Sequence, residues 1–166
     1  MAVVDVLSNA ITNRDAVPQV KNDQIEGGRL IECCSTVEVT TGNSSASTYR
    51  MFQVPSNARV SQLLVYSDDM GTATAGDIGV YQTTANGSAV VDADHFASAL
   101  SLNGGALSGS DVTHESGVFG VEDAEKPLWE ALGLSADPNI MYDVVLTLTA
   151  DSDTGGTFTL KGRYVI

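Results

Sequence analysis

Basic residues, aromatic rings and cysteines are all scarce in this chain, and each scarcity removes a class of function. Eight Lys and Arg stand against twenty-one Asp and Glu, a formal charge of -13. A field of that sign repels phosphate backbones and anionic lipid alike, so neither nucleic acid nor a membrane surface is expected as a partner. It also keeps a protein made in many copies soluble. Aromatic residues make up only 6% of a chain that is 43% hydrophobic, so the core is expected to be built from Ala, Val and Leu rather than stacked rings. Charged residues, at 17%, fall below the usual share of about a quarter. Ser, Thr, Asn and Gly must then supply the polar surface, which favours strands and turns over charge-laced helices.

The two cysteines are the adjacent Cys33 and Cys34. In an extended run their side chains leave opposite faces, so they are not expected to pair, and their spacing fits neither a zinc site nor a CxxC redox motif. They read as two buried or half-buried thiols. No run approaches the roughly 18 apolar residues of a membrane span. The opening MAVVDVLSNAITNRD has no basic region ahead of its apolar residues and carries Asp5, so it does not read as a secretion signal.

Candidate catalytic groups are equally few. The histidines are His95 and His114. His114 has Glu115 beside it and Asp111 nearby, yet neighbours on a strand point apart and no nucleophile motif accompanies them. GxSxG, HExxH and Walker patterns are missing. The acid pairs Asp68-Asp69, Asp92-x-Asp94 and Asp151-x-Asp153 could each offer oxygens to a calcium ion, but two oxygens are too few and the EF-hand pattern fails after Asp94. Solvated loop acids are the plainer reading. No catalytic residue, cofactor or metal is therefore assigned.

At 166 residues the chain is long enough for one domain with a real core. Residues 1–29 read as an extended N-terminal arm, because apolar residues are scattered among Asn, Asp and Pro18 before Gly27-Gly28 closes the stretch. Val3, Val4, Val6, Leu7, Ile11 and Val17 are too many apolar side chains for a solvated tail. They are candidate interface residues, lying on the chain's own domain or on a neighbour; an ordinary edge strand with a loop is the alternative.

Residues 30–166 read as a single β-sandwich domain. Strand signals with turn punctuation recur over 29–41, 48–54, 58–67 and 77–82, the last followed by the turn pair Asn86-Gly87. Residues 140–149 and 157–166 alternate apolar and polar side chains with a period of two, and the polar 150–156 between them suggests an antiparallel hairpin. One short helix is expected over 123–132, with Asp123 as cap, Gly133 beyond its end and an apolar stripe of Leu128, Trp129 and Leu132. Trp129, the single tryptophan, reads as a core or interface anchor. Seven or eight strands with one helix fit a mainly β, antiparallel sandwich of jelly-roll type.

The ordered series GDIGVYQT (76–83), VVDADHFASAL (90–100), DVTHESG (111–117) and EDAEKPLWEALGLSADP (122–138) resembles small virion structural proteins of tailed bacteriophages. The opening MAVVDVLSNAITNRDA and STYRMFQVPSNARVSQ (47–62) fit the same group. The nearest functional class is the jelly-roll capsid decoration, or cement, proteins. The resemblance implies a protein made in the host cytoplasm that binds the outside of a phage head shell. Its partners would be the major capsid protein and itself, as a homodimer or homotrimer, and it would stabilise the shell without catalysis. Another virion role, such as a head fibre base, a head completion protein or a tail component, shares this composition. A carbohydrate-binding module would need an exposed aromatic platform, with Trp129 or Tyr81 as its candidates.

Overall fold

The computed structural model describes residues 6–18, 20 and 28–166. Eight strands dominate the regular structure of the described residues: β1 (Leu30–Val39), β2 (Thr48–Pro55), β3 (Arg59–Ser67), β4 (Ala75–Gln82), β5 (Val90–Ser101), β6 (Leu107–Asp111), β7 (Met141–Leu148) and β8 (Gly156–Val165). They form two antiparallel four-stranded sheets, ordered β1-β8-β3-β6 and β2-β7-β4-β5. The first and last strands are neighbours, and most successive strands alternate between the sheets. That order is the double Greek key of a jelly roll.

The core lies between the sheets and is made, as the composition predicts, mainly of aliphatic side chains. Val60, Leu63 and Val65 from β3, Ile78 and Val80 from β4, and Phe158 and Leu160 from β8 are essentially inaccessible. Strand β8 alternates without fault, burying Gly156, Phe158, Leu160, Gly162 and Tyr164. Gly162 is needed there because a Cβ would meet the Phe52 ring at 2.5 Å and the Cys33 sulfur at 3.1 Å.

Two expectations from the sequence are corrected. Strands β7 and β8 are not a hairpin, since β7 lies between β2 and β4 while β8 lies between β1 and β3 in the other sheet. Alternation reports which side chains face the core, and both sheets share one core. The connecting residues cross the roughly 10 Å between sheets and are tied down on the way, with Asp151 accepting from Ser45 N–H at 2.7 Å and Asp153 from Thr72 N–H at 3.0 Å. The helix expected over 123–132 is divided. A 3-10 turn covers Val121–Glu125 and a short α-helix covers Leu128–Ala131. Lys126 and Pro127 between them are extended, with ψ of 145° and 152°. Proline forces this, because its ring drives the preceding residue out of the helical region.

The N-terminal stretch is not extended throughout. Helix α1 (Asn9–Asp15) begins at Ser8, whose hydroxyl accepts from Ile11 N–H at 3.4 Å, and ends where Ala16 becomes extended ahead of Val17-Pro18. The second α-helix, Leu128–Ala131, is termed α2. The interface candidates Val3 and Val4 lie outside the described residues.

Candidate functional site

Strand β5 carries the least regular backbone of the sandwich. From Ile78 to Val80 is two steps along β4, but the matching partners, Ala97 and Asp92, are five steps apart on β5. The surplus residues fold over β4, and Gly79 makes room for them: a Cβ there would stand 2.2 Å from the carbonyl oxygens of both Asp92 and Ala93. This bulge turns His95 inward, where its side chain is 1% exposed. His95 Nδ1 lies 2.9 Å from Asp92 Oδ2, while Nε2 is buried and meets no hydrogen-bond partner among the described residues. Around the ring are Phe96 and Phe119, with centroids 4.9 and 5.4 Å away. Burial pushes the imidazole below its ordinary range, and the hydrogen bond to Asp92 only partly offsets this.

The segment after β6 then closes over this edge of β5. Phe119 N–H donates to His95 O at 3.1 Å, Ser116 N–H to Phe96 O at 3.0 Å, and Ser98 N–H to the Glu115 carboxylate at 2.8 Å. His114 stacks on Phe119, with centroids 5.2 Å apart, and its Nδ1 lies 2.9 Å from Phe119 O. His114 and Glu115, the pair an enzyme would need to converge, thus each hold backbone. Neither lines the surface groove of about 520 Å³ beside Arg59, Glu122 and Glu130, nor the one of about 320 Å³ beside Tyr66, Leu107 and Thr159. The cluster is a strand-edge cover with a buried imidazole at its centre.

The loop acids also have structural uses. Asp68 accepts from Thr157 N–H, Asp69 from Gly71 N–H, and Asp153 from both the N–H and the hydroxyl of Thr72. Hydrogen bonds from Thr72 hold the Asp153 carboxyl below the ordinary range. No three His, Cys, Asp or Glu side chains converge as a metal-ligand set among the described residues. Cys33 is half-buried and Cys34 is exposed, so only the inward thiol fits the expectation of burial.

The interface candidates occupy two places. Val6, Leu7 and Val17 are 83%, 53% and 98% exposed, while Ile11, on α1, is half-buried. Trp129 sits on α2, which docks by its N-terminus: Leu128 N–H and Trp129 N–H donate to Ala58 O and Ser56 O at 2.8 and 2.9 Å. Leu128 fills the core, but Trp129 is half-buried at the surface. Tyr81 cannot serve as a stacking platform, because it is 5% exposed and its hydroxyl is bonded to Thr147 at 2.7 Å.

Solved structures carry the same architecture. A chain of the capsid of Ralstonia phage GP4 superposes with a TM-score of 0.57 at 15% identity, over 82% of this chain and 84% of that one. A chain of the cyanophage Pam1 capsid asymmetric unit gives 0.51 at 15% identity, over 85% and 87%. The chain shares its fold with phage capsid chains. At this identity the likeness is one of fold, and it extends over more than four-fifths of each chain. No protein-family model matches, and no curated protein is matched by sequence.

Proposed function

We propose that this protein is a non-enzymatic structural component of a tailed-phage virion that decorates the outer surface of the head shell and reinforces it. The observation that supports this most is the near full-length jelly roll shared with two phage capsid chains. The residue series quoted above points the same way. The charge of -13 suits a coat outside the DNA rather than a partner of it. In the cluster around His95 the side chains of His114 and Glu115 hold backbone.

On this reading the shell's major capsid protein and further copies of the chain are the partners. Residues 1–29 act as the arm that reaches a neighbour, with Val3, Val4, Val6, Leu7, Ile11, Val17 and Trp129 supplying apolar contact. An arm that buries about 600 Å² contributes several kcal/mol at roughly 25 cal/mol per Å², before ordering costs. Repetition over a shell makes such contacts collectively strong. Synthesis in the host cytoplasm and residence on the capsid surface follow.

Shells made without the protein and filled with DNA test the reinforcing role. Adding the purified protein is expected to raise the temperature at which they release DNA. An unchanged release temperature at saturating protein contradicts reinforcement.

A further inference from the structure

The free edges of the two sheets are treated unequally. That of β5 is covered by the segment 113–119, β6 has only five residues, and β2 is broken by a bulge between Arg50 and Phe52 and ends at Pro55. Bulges, brevity and covers are the usual guards against strand pairing. Among the described residues strand β1 has none of them. It runs ten residues in unbroken register with β8, from Leu30↔Val165 to Val39↔Gly156, and contains no proline.

The register also shows which backbone groups are open. Arg29 and Ile166 exchange hydrogen bonds at 2.8 and 3.1 Å just beyond the ladder. Odd-numbered residues of β1 therefore bond to β8, and the N–H and C=O of Leu30, Glu32, Cys34, Thr36 and Glu38 point to the free edge. Among the described residues nothing bonds to them. The side chains of the same five residues are exposed. The middle one is Cys34.

Charge does not guard this edge either. Glu32 is held by Lys161 at 3.0 Å and Arg163 at 2.7 Å, and these cations keep its carboxyl below the ordinary range. Arg29, Lys161 and Arg163 against Glu32 and Glu38 leave three cations to two anions here, in a chain of -13.

We propose that a second copy of this chain adds to β1 edge to edge, antiparallel, about a two-fold axis through Cys34. This register uses all five outward residues of each copy. It sets Cys34 opposite Cys34, Glu32 opposite Thr36 and Leu30 opposite Glu38, so no like charges face each other. Shifting the centre one residue on, to Ser35, sets Glu32 against Glu38; centring on Glu32 sets Glu32 against itself. The strand's length and its charges thus select one self-complementary register, with about ten new hydrogen bonds in an eight-stranded continuous sheet. The contact deepens the self-association included in the decoration reading and rests on that reading for its place in a particle. It specifies a dimer.

Sedimentation and cross-linking of the full chain with bis-maleimidoethane test it without shells. The two Cys34 Cα atoms would lie about 5.5 Å apart, within reach of the reagent. Cys33 should stay silent, since burial pushes its thiol up to about 11. The expected result is a dimer whose cross-link runs through Cys34, so that Cys34→Ser loses the cross-link and still sediments as a dimer. Thr36→Pro removes an outward N–H while leaving the β8 ladder intact, and is expected to abolish the cross-link with the circular dichroism unchanged. Should that variant misfold, Cys34→Glu decides, because it places like charges opposite at an exposed site and should sediment as a monomer. A monomeric or trimeric wild type, or Thr36→Pro and Cys34→Glu variants that dimerise like wild type, would overturn the proposal. Dimers that fail to bind shells would instead count against decoration and leave this contact standing.

Discussion

The imidazole of His95 is anchored to Asp92 through one nitrogen, at 2.9 Å, and is buried at the other, which meets no partner among the described residues. That asymmetry makes the edge cover of β5 sensitive to acid. The folded pKa lies below the ordinary 6.5 because burial disfavours the charged ring. The unfolded chain then binds the proton more readily, so the stability His95 contributes is full above 6.5 and is lost as pH falls from there through the lower folded value. Melting temperatures of wild type and His95→Gln between pH 8 and 5 measure it. The wild type should lose stability more steeply than the variant below 6.5; parallel curves refute the assignment.

Gly79 makes the bulge possible. A methyl group at 2.2 Å from two carbonyl oxygens cannot be relieved by a side-chain rotation, because both neighbours are backbone. Gly79→Ala should therefore cost at least about 2 kcal/mol in urea unfolding. Gly42→Ala provides the contrast in space: its Cβ would meet nothing within 4 Å, although its φ of +79° adds local strain.

Arg50 and Asp143 form an ion pair on the outer face of the second sheet, and Asp143 is only 6% exposed. The guanidinium also donates to Gln82 O at 2.9 Å and lies 6.0 Å from the Tyr81 ring centre. Arg50→Ala strands a buried carboxylate and should destabilise by roughly 2–3 kcal/mol. The double change Arg50→Ala with Asp143→Asn should recover part of that loss in the same unfolding assay, because no uncompensated charge remains.

Deleting residues 1–28 should leave a folded sandwich, since β1 begins at Leu30 and Arg29 retains its backbone bonds to Ile166. The truncated protein is expected to keep its thermal transition and lose shell binding. Unchanged shell binding would remove the arm from the interface, and loss of the transition would make it part of the core.

Much of the sandwich is legible in the residues. Strands β1 to β4, β7 and β8 announce themselves through alternation or β-branched runs. Strand β5 does not, because Asp92, Asp94 and His95 interrupt its apolar pattern at the bulge that displaces five residues against two. The sequence LSGSD of β6 reads equally well as a loop. The separation of β7 from β8 is a long-range fact that no local period encodes. The apolar N-terminal residues and Trp129 are visible as composition. The buried state of His95 is invisible, since it depends on a glycine sixteen positions earlier and on a cover eighteen to twenty-four positions later. The open edge of β1 has no local signal either, because an edge is defined by which strand is missing beside it.

Co-sedimentation of the purified protein with mature and immature phage shells that lack it tests the central claim most directly. Decoration predicts saturable binding at a fixed copy number per major capsid subunit, and that number names the symmetry position occupied. Absence of binding to either shell would contradict decoration.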